Sequence, residues 1–142
     1  MGGHTPLPAI IVEPDQPADA CVVLLHELGA DGNDLAPLAR GLPRAAAHAI
    51  RFIFPHAPRR PVTLNGGYVM PAWYDIRDIS ADAPEDEAGI QASAAALHEI
   101  VRVQIAAGLP ARRIVVGGFS QGGAIALYAG LTLAERIGGI LA

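Results

Sequence analysis

The stretch Val115-Val116-Gly117-Gly118-Phe119-Ser120-Gln121-Gly122-Gly123 decides how this chain is read. Arg113 to Val116 carries a β-branched apolar run. Ala124, Leu127, Tyr128 and Leu131 then recur at helical spacing, so the period changes from strand to helix across the serine. Gly118 and Gly122 flank Ser120 as G-x-S-x-G. The pattern predicts a strand, a sharp turn with Ser120 at its tip, and a helix. A side chain on such a bend occupies a sparsely populated backbone region, at a cost of order 1–3 kcal/mol. Small neighbours are needed because the two backbones pass close together there. The bend lifts the serine oxygen clear of the sheet. It also aims the free N–H groups and positive dipole end of the helix at whatever the oxygen attacks. That suits chemistry in which a carbonyl oxygen becomes negative.

The chain has 142 residues, enough for one domain. With 51% hydrophobic and 5% aromatic residues, its core must be aliphatic. The formal net charge is −4 and the ten cations, all arginine, are scattered, which argues against nucleic-acid binding. The single cysteine, Cys21, lies in an apolar run, so it reads as a small buried hydrophobe and no disulfide framework exists. Met1 to Pro6 lacks the basic-then-apolar order of a secretion signal, and Pro6 breaks the myristoylation pattern that Gly2 would begin. No apolar run approaches membrane-spanning length, so the expectation is a cytoplasmic protein without stable membrane insertion.

Outward from the serine, strand alternates with helix. Pro6, Pro8, Pro14 and Pro17 keep the start extended, with one short strand at Ala9–Val12. Ala20–His26 is a near-continuous apolar run that suits a strand covered on both faces. Asp34 is the expected N-cap of a helix over Leu35–Arg40. The D-G-N-D run there lacks the spacing and later glutamate of a calcium loop, and no metal site is read from it. Arg51–Phe54 forms a strand closed by Pro55. Pro55 to Ala83 is a long irregular stretch holding Tyr68, Trp73 and Tyr74; its aromatics favour an ordered binding loop over disorder. Pro84 is expected to open the next helix, with Ile90, Ala94, Leu97 and Val101 on its apolar face and Gly108 and Pro110 ending it. The helix after Ser120 is expected to reach about Arg136, and Gly138–Ala142 to begin another strand. The whole predicts a doubly wound, mostly parallel α/β sheet.

Four stretches in this order resemble the phospholipase/carboxylesterase family of α/β-hydrolases, which includes the acyl-protein thioesterases. They are L-L-H-E-L-G-A-D-G-N-D, P-H-A-P-R-R-P-V-T-L-N-G-G-Y-V-M-P-A-W-Y-D-I, E-D-E-A-G-I and G-G-F-S-Q-G-G-A. The resemblance implies an α/β-hydrolase fold and a serine carboxylesterase, acyl-thioesterase or lysophospholipase-type activity. It makes Ser120 the nucleophile, which forms an acyl-enzyme that water hydrolyses. It places the oxyanion hole on the backbone N–H groups of Leu28 and Gln121, with His26, Gly118 and Gly122 supporting the loops. Trp73 and Met70 would line the substrate groove, and Trp73 equally suits an anchor for its loop. The implied substrate is a small ester or acyl thioester, no cofactor is needed, and a homodimer is compatible.

Two departures from the family pattern bear on activity. Glu27 stands where the family has glycine, and its side chain is expected to lower the rate by distorting the loop or repelling the oxyanion. The family's acid and base follow the serine, whereas the only carboxylate side chain after Ser120 is Glu135 and no histidine follows it. His4, His26, His48, His56 and His98 all precede it, and of these only His26, beside the presumed hole, merits weighing as a base. The chain therefore reads as a single incomplete hydrolase domain over 1–142, the segment with the catalytic Asp and His absent, with little activity of its own. Two rivals remain. A nucleotide site lacks both G-x-G-x-x-G spacing and a P-loop lysine. A non-catalytic relative that binds acyl groups or a partner chain would account for both departures.

Overall fold

A computed structural model of the chain describes residues 6–42 and 49–142; His4 and His48 lie outside them. In chain order the elements are β1 (Ala9–Val12), β2 (Ala20–Leu25), α1 (Gly32–Arg40), β3 (Ile50–Pro55), β4 (Arg59–Val62), β5 (Tyr68–Pro71), α2 (Glu87–Ala106), β6 (Ile114–Gly118), α3 (Gln121–Thr132) and β7 (Gly139–Leu141). Five strands form one sheet in the order β1-β3-β2-β6-β7. Only β1 runs antiparallel, against β3; the other pairings are parallel.

The apolar run of β2 is explained by its two faces. Cys21, Val23 and Leu25 are buried with Ile114 and Val116 of β6 beneath Leu97 and Val101 of α2 and Ile125 and Ala129 of α3. Val22 and Leu24 face the smaller cluster of Phe52, Phe54, Ala36 and Ala39 under α1. Removing a buried side chain such as Leu97 costs about 2–5 kcal/mol in such cores. Burial pushes the Cys21 thiol up to about 12, so it is inert.

From β2 the chain passes through α1 to β3 on one side, then through α2 to β6 on the other. Strand order therefore reverses at β2, and the crevice beyond the carboxyl ends of β2 and β6 is where such sheets bind ligands. Leu25 and Gly118 are register partners at those ends. The loop after β2 and the turn before α3 thus leave the sheet side by side.

Several boundaries differ from the sequence expectation. The N-cap of α1 is Asp31 rather than Asp34. Asp31 accepts from the Asn33 N–H at 2.7 Å, and Asp34, at the third helical position, accepts from the Asp31 N–H at 3.2 Å. This reciprocal box starts the helix earlier than the apolar pattern suggested. α2 begins at Glu87 rather than Pro84, because the Asp86 carboxylate caps it by accepting from Gly89 N–H at 3.0 Å. α3 ends at Thr132 rather than Arg136: Leu133 is extended, and it and Ile137 turn in to join the core. Glu135 therefore lies beyond the helix.

The stretch from Pro55 to Ala83 is not irregular throughout. It holds the β4–β5 hairpin, paired from Arg59↔Pro71 to Val62↔Tyr68. Asp75 ties it down by accepting from the Thr63 N–H at 2.7 Å and the Thr63 hydroxyl at 2.6 Å. Those bonds hold the Asp75 carboxyl below the usual carboxylate range. Asp86 in turn accepts from the Asp75 N–H at 2.8 Å, which likewise lowers its pKa.

Candidate active site

Ser120 sits at the tip of the turn between β6 and α3 with φ 55° and ψ −118°, and is the one described non-glycine residue with positive φ. It is exposed, and its side chain makes no capping bond to α3, so the hydroxyl is not spent on the helix. Close approach explains the flanking glycines. A Cβ on Gly118 would stand 2.4 Å from the Gly122 carbonyl carbon, and one on Gly122 would stand 2.3 Å from the Leu25 oxygen. Both obstacles are backbone, which cannot yield without moving strand or helix.

Gln121 opens α3, so its N–H has no partner within the helix. Among the described residues neither this N–H nor that of Leu28 is paired with an acceptor. Two free backbone donors therefore stand on the paired loops around the exposed serine, the donor type that stabilises an oxyanion. Their spacing from Ser120 Oγ depends on how the 26–31 loop is held, and that loop is fastened at several points. Gly29 N–H donates to the Pro71 carbonyl at 2.9 Å, Ala30 N–H donates to Glu27 O at 3.2 Å, and Phe119 N–H donates to Leu25 O at 3.1 Å.

His26 is 1% exposed and does not offer itself as a base. Its Nε2 accepts from Ala57 N–H at 3.0 Å, so the proton resides on Nδ1, which donates to Glu27 O at 2.7 Å. Both ring nitrogens are engaged in a neutral imidazole, and burial holds its pKa below the ordinary histidine value. His98 lies on α2 with Nε2 at 2.9 Å from the Ala129 carbonyl, and His56 Nδ1 accepts from Gly32 N–H at 3.0 Å. None of the described histidines is presented to Ser120 by these bonds.

Trp73 does not line an open groove. It is 1% exposed, and all three of its polar groups are satisfied. Its indole N–H donates to His26 O at 2.8 Å, its backbone N–H donates to Gln121 Oε1 at 2.8 Å, and its carbonyl accepts from the Ser93 hydroxyl. Its ring centroid lies 5.1 Å from that of His26. Of the two roles that suited it from sequence, it fills that of an anchor beneath the 26–31 loop. Met70 is half-buried, with its sulfur 3.8 Å from where a Gly29 Cβ would be, and so stands beside that loop.

Glu27 is exposed and does not take a positive φ, so backbone strain from a non-glycine residue is not a ground for distortion of the loop. The exposed side chain keeps its charge beside the Leu28 N–H. The sequence reading missed the Gln121 side chain. It is 4% exposed and ties the start of α3 to the 73–74 segment, accepting from Trp73 N–H and donating to Tyr74 O at 2.9 Å. A polar residue immediately after the nucleophile was visible in sequence, but its partners lie 47 and 48 positions away. Among the described residues no three His, Cys, Asp or Glu side chains converge as a metal site requires.

The model of the family described as phospholipase/carboxylesterase matches residues 7–142. Acyl-protein thioesterase 1 of Schizosaccharomyces pombe is 44% identical over 135 residues, covering 95% of this chain and 59% of that protein. The crystal structure of Zea mays acyl-protein thioesterase 2 superposes with a TM-score of 0.73 at 39% identity, over 87% of this chain and 50% of that one. Arabidopsis thaliana SOBER1 superposes with a TM-score of 0.80 at 30% identity, over 85% of this chain and 59% of that one. The chain thus spans between 50% and 59% of the length of these relatives.

Proposed function

The chain belongs to the phospholipase/carboxylesterase family of α/β-hydrolases, and from that premise we propose that it carries the nucleophile and oxyanion hole of a serine hydrolase acting on acyl thioesters or carboxylic esters. The observation that carries this reading is the backbone of Ser120, held at φ 55° between two glycines with no room for a Cβ while its hydroxyl stays exposed. A strained residue is retained where it has a use. Ser120 Oγ bonds to the acyl carbon and its proton passes to a base. The carbonyl oxygen, now negative, is received by the N–H groups of Leu28 and Gln121. Collapse expels the alcohol or thiol, which takes a proton, and water then releases the acid. One such donor is typically worth 10²–10³ in rate, or about 2.7–4 kcal/mol. Met70 is proposed to contact the substrate beside the 28–30 turn, and the thioesterase relatives favour an acyl thioester. A cytoplasmic site of action goes with this reading.

The base is proposed to come from outside this sequence. In this fold acid and base follow the serine, no histidine follows Ser120, and the rings of His26, His56 and His98 are bonded elsewhere. Loss of the base typically lowers kcat on the order of 10⁶, so the 142-residue chain alone should turn over slowly. The same committed histidines favour a second reading, a relative that binds acyl groups or a partner without turnover. A fluorophosphonate probe read by intact mass separates them. Slow labelling confined to Ser120 and lost in Ser120→Ala is expected. Labelling that persists in Ser120→Ala refutes the nucleophile, and absence of labelling with saturable binding of a fatty acyl ligand selects the second reading.

A further inference from the structure

The loop that carries Leu28 is held at its two ends by two imidazoles used in the same way. At its start, His26 Nε2 accepts from Ala57 N–H at 3.0 Å. At its end, His56 Nδ1 accepts from Gly32 N–H at 3.0 Å. Residues 26 and 32 bound the loop, and residues 56 and 57 are consecutive, so the two bonds cross-tie one short loop to one dipeptide. That dipeptide is itself fixed by His56 N–H donating to Pro8 O at 2.8 Å. The fit is tight at the second tie. A Cβ on Gly32 would lie 2.6 Å from Phe54 O and 3.1 Å from the His56 ring, so glycine is needed for the ring to reach the N–H. Gly32 is also the first residue of α1, whose N–H has no partner inside the helix. His56 therefore caps α1 while it ties the loop.

We propose that His26 and His56 are a pair of positioning residues that clamp the loop bearing the Leu28 N–H, each working only as the neutral imidazole. This rests on the reading of Leu28 as an oxyanion donor. A protonated imidazole has two donors and no acceptor, so protonation turns each tie into N–H facing N–H. The groups facing the rings are known. Asp31 and Asp34 face His26 across the loop and the start of α1, with His56 as the other titratable ring, and Asp31 also faces His56. From the neighbouring loop the neutral Trp73 packs against the His26 ring and donates its indole N–H to His26 O. Burial outweighs the two aspartates at His26 and keeps it neutral below the ordinary histidine range.

The chain contains its own reporter. Trp73 is the only tryptophan, and its ring packs against His26 with centroids 5.1 Å apart. Contact with a protonated imidazole quenches indole emission. The experiment titrates the chain from pH 8 to 5, following Trp73 fluorescence and the amide hydrogen-exchange protection of Gly32 and Ala57. Protection of each amide should fall about tenfold or more as its ring protonates, the worth of one hydrogen bond. Emission should fall along the Ala57 curve. His26→Gln puts an amide oxygen where Nε2 stood, and His56→Asn does the same for Nδ1. Both should keep the tie through the acid range, and His26→Gln should flatten the emission titration. Alanine at either position should lose protection at every pH. The clamp is overturned if protection of Gly32 and Ala57 ignores both ring titrations, or if the Gln and Asn variants lose it as fully as alanine. Fluorophosphonate labelling of the same samples keeps the two readings apart. Failure to label with the ties intact counts against Ser120 as nucleophile and leaves the clamp standing.

Discussion

Gln121→Ala should unseat the anchor beneath the proposed oxyanion loop, and the cost follows from its bonds. The side chain is 4% exposed and both ends of its amide are engaged, Oε1 by Trp73 N–H at 2.8 Å and Nε2 by Tyr74 O at 2.9 Å. Truncation leaves the Trp73 N–H in a buried position with neither protein nor water to receive it, at about 1–3 kcal/mol. The lost bond to the half-buried Tyr74 carbonyl adds about 0.5–1.5 kcal/mol. With the cavity left by the aliphatic stem, the variant should lose about 2–5 kcal/mol in all, a large part of the 5–15 kcal/mol typical of a domain. Urea unfolding followed by Trp73 emission measures it, as a lower midpoint at unchanged slope. Gln121→Glu supplies the sharper comparison. It keeps an acceptor for Trp73 N–H but sets a second oxygen against Tyr74 O, so the new carboxyl should be driven to its neutral form. A carboxyl whose folded pKa is raised gains stability as pH falls through that value. Relative to the parent at each pH, Gln121→Glu should therefore recover between pH 7 and 5. An alanine variant within about 0.5 kcal/mol of the parent, or a glutamate variant with no acid recovery, would refute the bridging role.

Ser120→Gly should stabilise the chain by up to about 1 kcal/mol, since glycine adopts φ 55° freely, whereas Ser120→Ala should not; equal urea midpoints for the two would contradict the strain. Gly122→Ala places a Cβ 2.3 Å from Leu25 O and should cost about 1–3 kcal/mol or more, seen as a lower thermal midpoint together with slower Ser120 labelling. Because the His26 pKa is lowered on folding, the folded chain binds fewer protons than the unfolded one just below the ordinary histidine value; stability should decline as pH falls through about 6.5, and His26→Gln should flatten that decline in acid urea titrations. Asp86 follows the same sign in a more acidic window: its lowered pKa stabilises the fold above about pH 4, that stability is lost in stronger acid, and Asp86→Ala should cost about 0.5–2 kcal/mol through the cap of α2. Glu27→Gln should speed phosphonylation of Ser120 by roughly threefold at low salt, the effect of removing one exposed charge next to the proposed Leu28 donor, and the gain should shrink as salt is added.

The period switch at Val115–Gly123, the apolar run of β2 and the acidic helix starts were enough to order strands and helices and to pick out Ser120, because periodicity and the space needed around a turn are local properties. The motif order likewise pointed to the family before any contact was known. The ends of helices were less legible. Asp31 and Asp34 are both good caps in sequence, and only the reciprocal bonds show which one begins α1. The β4–β5 hairpin escaped notice because its short strands, Arg59–Val62 and Tyr68–Pro71, each carry a proline and are largely exposed, so they lack the apolar alternation of a half-buried strand. What packing alone decided is the inner support of the site. Trp73 became an anchor rather than a wall, Gln121 a bridge, and His26 and His56 acceptors rather than bases, each through partners distant in the chain. A sequence fixes which groups can donate or accept. Which of them meet, and which are left free for a ligand, depends on the distances set when the sheet and its helices close around them.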